Sequence, residues 1–234
     1  MRPTRILVQK DWRSVIGEIL LIVIGVSIAL AVDEWRQARS DDIQADEYVD
    51  RLIEDFEIDV TGWQKIDEIE VEKIAALDQA LAWIHEPDFS TSSVKHFLGN
   101  LTIGSRLAYG VGTQTENLTF NELISTGRLG LIKSPTVRRS LMSYHYWGDM
   151  SATRIIARQT DYAPTVYRLI PRDPEFQIRS DLSDRQLEQL ARRALEYDLE
   201  GLIVAERNRA RLRREISAVG IVRAKQVLSA LREN

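Results

Sequence analysis

The hydrophobic pattern changes character four times along the chain. Val15 to Val32 reads VIGEILLIVIGVSIALAV, an apolar run of 18 residues with Glu18 as its single charge. At ~1.5 Å per helical residue this is close to the shortest run that crosses a ~30 Å hydrocarbon core. From Ile43 to Ile84 the pattern becomes periodic. Tyr48, Leu52, Phe56, Val60, Trp63, Ile66, Ile74, Leu77, Leu81 and Ile84 recur mostly at three and four residues, which predicts a long amphipathic helix with Gly62 as its weak point. Glu86-Pro87-Asp88 closes it, because proline cannot continue a helix. Residues 89–134 hold half of the 12 glycines and predict short helices and turns.

The remaining elements are marked by their starts. Thr119-Phe-Asn-Glu122 predicts a capping box, with Leu118 and Leu123 as its hydrophobic staple and Gly127 as the left-handed terminator. Ser134-Pro135 predicts an N-cap with proline at the first helical position, opening a helix to about Tyr162. Pro164, Pro171 and Pro174 then impose an irregular connection. Ser183-Asp-Arg-Gln186 predicts a second capping box and a helix to about Leu199, and the last helix is expected over 201–231. No strand-like alternation of useful length and no solenoid repeat is visible. The fold class is therefore all-α: one N-terminal transmembrane helix followed by an antiparallel helical bundle with a long first helix.

Charge orients this architecture. Arg2, Arg5, Lys10 and Arg13 precede the apolar run against Asp11, whereas Asp33, Glu34, Asp41 and Asp42 follow it with Arg36 and Arg39. The positive-inside rule makes residues 1–14 a cytoplasmic tail, 15–32 the transmembrane helix and 33–234 a periplasmic domain in a bacterial inner membrane. Trp12 and Trp35, separated by roughly 35 Å of helix, fit the two interfacial belts as anchors. The competing reading is a signal peptide cleaved after Ala29-Leu30-Ala31. Glu18 inside the run and the lack of a helix breaker after Ala31 argue for retention.

Glu18, Ile22, Gly25 and Ala29 follow at four, three and four, so they share one face, and Gly25-x-x-x-Ala29 permits close backbone approach. This face is the expected helix-association surface. Farther on, residues 41–88 carry a net charge of −13, and residues 201–234 carry +5, concentrated in Arg207, Arg209, Arg211, Arg213 and Arg214. The expectation is that the basic helix packs on the acidic one, the alternative being an anion or acidic-partner site. Tyr144-His145-Tyr146-Trp147 joins these arginines as a candidate ligand or partner patch. The clusters Asp67-Glu68-x-Glu70 and Glu54-x-x-Glu57 read as solvated helix faces.

The catalytic inventory is thin. Zero Cys excludes thiol catalysis, disulfides, iron–sulfur clusters and Cys-ligated zinc. The three His are not preceded by Glu at the spacing a di-iron bundle needs, and no zinc-protease, serine-hydrolase or P-loop motif occurs. Gly110-Val-Gly-Thr-Gln-Thr115 lacks the lysine and strand of a phosphate loop. No cofactor or metal is expected. The net charge of −4 carries no nucleic-acid signature, so the expected partners are the membrane lipid bilayer, further copies of the chain or other membrane subunits.

Two segments carry a family resemblance. Ile16-Gly-Glu-Ile-Leu-Leu-Ile-Val-Ile-Gly-Val-Ser-Ile-Ala-Leu30 with Trp35, and Thr119-Phe-Asn-Glu-Leu-Ile-Ser-Thr-Gly-Arg-Leu-Gly-Leu-Ile-Lys-Ser134, resemble a family of uncharacterised bacterial single-span membrane proteins, a domain of unknown function. Asp33-Glu34 departs from the Asn-rich residues usual there. The resemblance implies architecture and membrane location and transfers no catalytic residue. The function expected is that of a non-enzymatic scaffold or accessory subunit; the alternative is a periplasmic ligand-sensing bundle that signals through a membrane partner.

Overall fold

The computed structural model describes residues 12–106, 118–171 and 178–233, with side chains of the first helix described from Ile16 onward. The glycine-rich loop 110–115, Pro174, the Trp12 side chain and the N-terminal basic residues lie outside these. Among the described residues there are seven α-helices and no strand. They are α1 (Trp12–His85), α2 (Thr91–Gly104), α3 (Leu118–Ser125), α4 (Pro135–Ile156), α5 (Tyr162–Leu169), α6 (Asp184–Glu196) and α7 (Leu199–Arg232), with a 3-10 turn at Arg128–Leu131. The chain divides into two compact units, Met1–Val49 and Asp50–Asn234.

In the first unit every described residue from Ile16 to Ser40 is exposed, including the whole apolar run. In the second, the predicted stripe of α1 is buried at Leu52, Phe56, Trp63, Ile66, Leu77 and Leu81. Gly62 does not interrupt α1, and the helix ends at His85, just before Pro87. A helical glycine costs only ~1 kcal/mol relative to alanine, which packing on both sides outweighs. One core joins the end of this stripe to Val94, Phe97, Leu98 and Leu101 of α2, Tyr162, Val166 and Leu169 of α5, Leu187, Ala191 and Ala194 of α6, and Leu199 and Ile203 of α7. A second cluster gathers Trp63, Ile66, Ile155, Leu212 and Ile216.

Two glycines set close approaches. A Cβ at Gly104 would collide with Leu77 and the Tyr162 hydroxyl, and one at Gly220 would stand 2.7 Å from the Trp63 ring. Gly127 has φ 69°, the left-handed conformation expected of a helix terminator. Ser134 caps α4, its Oγ accepting from the Val137 amide at 3.4 Å with Pro135 at the first position. Gln186 Oε1 accepts from the Ser183 amide at 2.9 Å, the return limb of the second box.

Three boundaries differ from the sequence pattern. Thr119 lies inside α3, and its amide donates to Asp55 Oδ2 of α1 at 3.0 Å, while Glu122 turns to Arg51 at 2.6 Å. A carboxylate from a neighbouring helix thus takes the role assigned to the local box. The helix from Ser134 stops at Ile156 instead of about Tyr162, and α5 begins at Tyr162. Pro164 is the third residue of α5, where an amide has no intrahelical partner to lose, so the proline that signals a break sits within a first turn. Finally, α6 ends at Glu196, and Asp198 at φ 47° turns the chain into α7. Asp is among the few non-glycine residues that tolerate this region.

Candidate functional site

Glu18, Ile22, Gly25 and Ala29 lie together on α1 and all are exposed. A Cβ at Gly25 or Gly17 would meet nothing within 4 Å. Among the described residues nothing requires the glycines there. The helix is long and apolar enough to cross a membrane. None of the described residues of the apolar run is buried. Trp35, 65% exposed, follows the run as the expected interface anchor.

The aromatic tetrad on α4 fans around the helix. Tyr144 is buried, donates to Asp59 Oδ2 at 3.0 Å and accepts from Trp63 Nε1 at 2.9 Å. His145 stacks on Phe120 with ring centroids 3.8 Å apart. Trp147 packs on Trp63 and lies beneath Arg223, while Tyr146 is exposed. The four thus serve three different surroundings, as a 100° step per residue requires. Burial raises the Asp59 carboxyl to about 6, with the Tyr144 hydrogen bond opposing and the Asp55 charge adding to the shift. Burial lowers His145 to about 4 against the charge of Asp149. The imidazole is neutral at neutral pH.

The arginines of α7 separate in the same way. Arg207 pairs with Asp78 at 2.7 Å, Arg209 with Glu206 at 3.0 Å, Arg213 with Glu70 at 3.1 Å and Arg214 with Asp67 at 3.2 Å; Arg211 is exposed. Arg232 meets Glu57 at 2.5 Å. The acidic partners other than Glu206 all lie on α1, so the basic helix pairs its arginines with the acidic one, and ascending positions on α7 meet mostly descending positions on α1.

At the centre of this contact is a charge network of which the expected patch held only Arg209 and Arg213. Glu70, Lys73, Glu206 and Arg213 are buried. Lys73 Nζ donates to Glu206 Oε1 at 2.8 Å and stands 3.8 Å from Glu70, and the Thr160 hydroxyl donates to Glu206 Oε2. Glu70 is therefore not on a solvated face. Burial pushes its carboxyl up, against the charges of Lys73 and Arg213. Burial also pushes Glu206 up, but Lys73, Thr160 and Arg209 together hold it below the usual range. The visible signal lay in spacing, since Glu70 and Lys73 continue the Trp63, Ile66, Leu77 stripe at steps of four and three. Charges on the apolar stripe of a helix are buried ion-pair candidates. No group of three His, Asp or Glu that could hold a metal occurs among the described residues.

Neither a protein-family comparison, nor one with curated proteins, nor one with solved structures finds a match to this chain.

Proposed function

We propose that this protein is a single-pass bacterial inner-membrane protein whose N-terminal helix and periplasmic helical domain scaffold, or form an accessory subunit of, a membrane assembly without catalysing a reaction. The observation that carries this reading is the exposed Glu18, Ile22, Gly25 and Ala29 face, at whose glycine an added Cβ would meet nothing within 4 Å among the described residues. Small residues on a lipid-embedded helix permit close backbone contact, and a carboxylate near the cytoplasmic boundary can pair with a partner's donor. The inverse order of most α1–α7 ion pairs supports an antiparallel bundle as the outer domain. The resemblance to single-span bacterial membrane proteins points the same way.

In-membrane cross-linking tests the face. Gly25→Leu and Ala29→Leu are each expected to reduce cross-linked species several-fold while leaving the thermal midpoint of the chain unchanged. Undiminished cross-linking in both variants would remove the association face from the account.

A further inference from the structure

The cations of α7 have carboxylate partners at Arg207, Arg209, Arg213, Arg214 and Arg232. Arg223 does not: among the described residues it makes no ion pair, and its guanidinium lies 5.5 Å above the Trp147 ring. Arg139 of α4 is likewise without an ion pair among the described residues. The two arginines line one groove between α4 and α7, of about 220 Å³, together with Ser140, Ser143 and Gln226. Tyr144 contributes to the wall, its hydroxyl already bonded to Asp59 and Trp63. No carboxylate occurs among the described residues of this lining. By contrast, the groove beside Arg232 contains Glu57 and Glu233, and that beside Arg214 contains Asp67 and Glu215.

Helical spacing makes this arrangement. Arg139 and Ser143 are four residues apart on α4, and Arg223 and Gln226 three apart on α7, so each helix presents its donors from one face. Two guanidinium groups, two hydroxyls and an amide line a groove with no carboxylate among its described residues. Guanidinium forks match tetrahedral oxyanions, and such charge-assisted bonds are about twice as strong as neutral ones. At about 220 Å³ the groove has room for one oxyanion with a few attached atoms.

We infer that this groove is a binding site for a small phosphate-type oxyanion, carried on a free phosphate compound or on a lipid headgroup. Arg139 and Arg223 supply the charge, Ser140, Ser143 and Gln226 the neutral donors, and Trp147 the platform that holds Arg223 in place. The site shares no residue with the membrane-helix face and does not depend on the scaffold reading.

The test is titration of the full-length protein in nonionic detergent with inorganic phosphate, against chloride at matched ionic strength, read by tryptophan fluorescence and thermal midpoint. A saturable fluorescence change and a raised midpoint are expected in the wild type. Arg139→Gln and Arg223→Gln should each weaken phosphate binding about tenfold. Arg211→Gln, an exposed cation elsewhere on α7, should leave it unchanged. Because Arg223→Gln also removes packing from Trp147, the exposed Arg139→Gln variant keeps the test decisive. No saturable response, undiminished binding in Arg139→Gln, or an equal loss in Arg211→Gln would overturn the proposal. Competition of bound phosphate by a short-chain phosphatidylglycerol assigns the oxyanion to a headgroup, and its absence assigns it to a free phosphate compound.

Discussion

Asp59 and His145 are displaced in opposite senses by the same burial, and their stability effects oppose each other. Asp59 titrates at about 6 in the fold against 3.8 for the ordinary carboxyl. Between those values the folded chain binds more protons than the unfolded one, so its contribution falls by about 3 kcal/mol as pH rises from below 4 to above 6. His145 titrates at about 4 against 6.5. There the unfolded chain binds more protons, so stability falls by about 3 kcal/mol as pH drops from above 6.5 to below 4. The two slopes largely cancel in the wild type. Asp59→Asn keeps an acceptor for Tyr144 and removes one slope, so its denaturant stability should fall steeply below pH 6.5, whereas His145→Phe should instead gain stability on acidification. Parallel pH profiles in both variants and the wild type would contradict the assignment. Neither group is marked by a motif, because burial of a side chain depends on which helix arrives from elsewhere in the chain.

At the level of helices, α1 and α7 are held by a buried network whose members cannot be removed singly at low cost. Lys73→Met leaves Glu206 and Glu70 short of a cation in a buried contact, and breaking a buried pair this way costs about 3–5 kcal/mol. Glu70→Gln should cost clearly less, since burial already favours the protonated form of that carboxyl. Urea unfolding of the two variants separates them, and equal losses would mean that Glu70 is held as a full anion. Much of this layer was legible beforehand. The α1 stripe, the Pro87 stop, the Ser134 cap, the Gln186 return bond and the charge segregation between α1 and α7 follow from local spacing, and the helices bear them out. What escaped was tertiary: Asp55 capping α3, Pro164 accommodated in a first turn, and Arg213 as the partner of the buried Glu70. Each depends on a partner more than 60 residues away or on a helix start that no local residue announces.

For the molecule as a whole, function turns on where the exposed apolar helix resides. The chain contains no cysteine, so single cysteines report sidedness cleanly. A membrane-impermeant maleimide applied to cells with a permeabilised outer membrane should label Tyr146→Cys, a site 69% exposed, and should reach Lys10→Cys only after the inner membrane is opened. Immediate labelling of both would place the amino terminus outside. Retention of the apolar helix in lipid would then leave its small-residue face available to a second helix, and the ion-paired outer domain available to the same assembly.

The most direct measurement is the native mass and composition of what a tagged chain brings out of its own membranes in mild detergent, compared between wild type and Gly25→Leu. The account predicts a discrete complex, with stoichiometric partner subunits or further copies of the chain, that is lost or diminished in the variant. A wild-type chain recovered only as a monomer, or a complex unchanged by Gly25→Leu, would contradict assembly through the membrane helix.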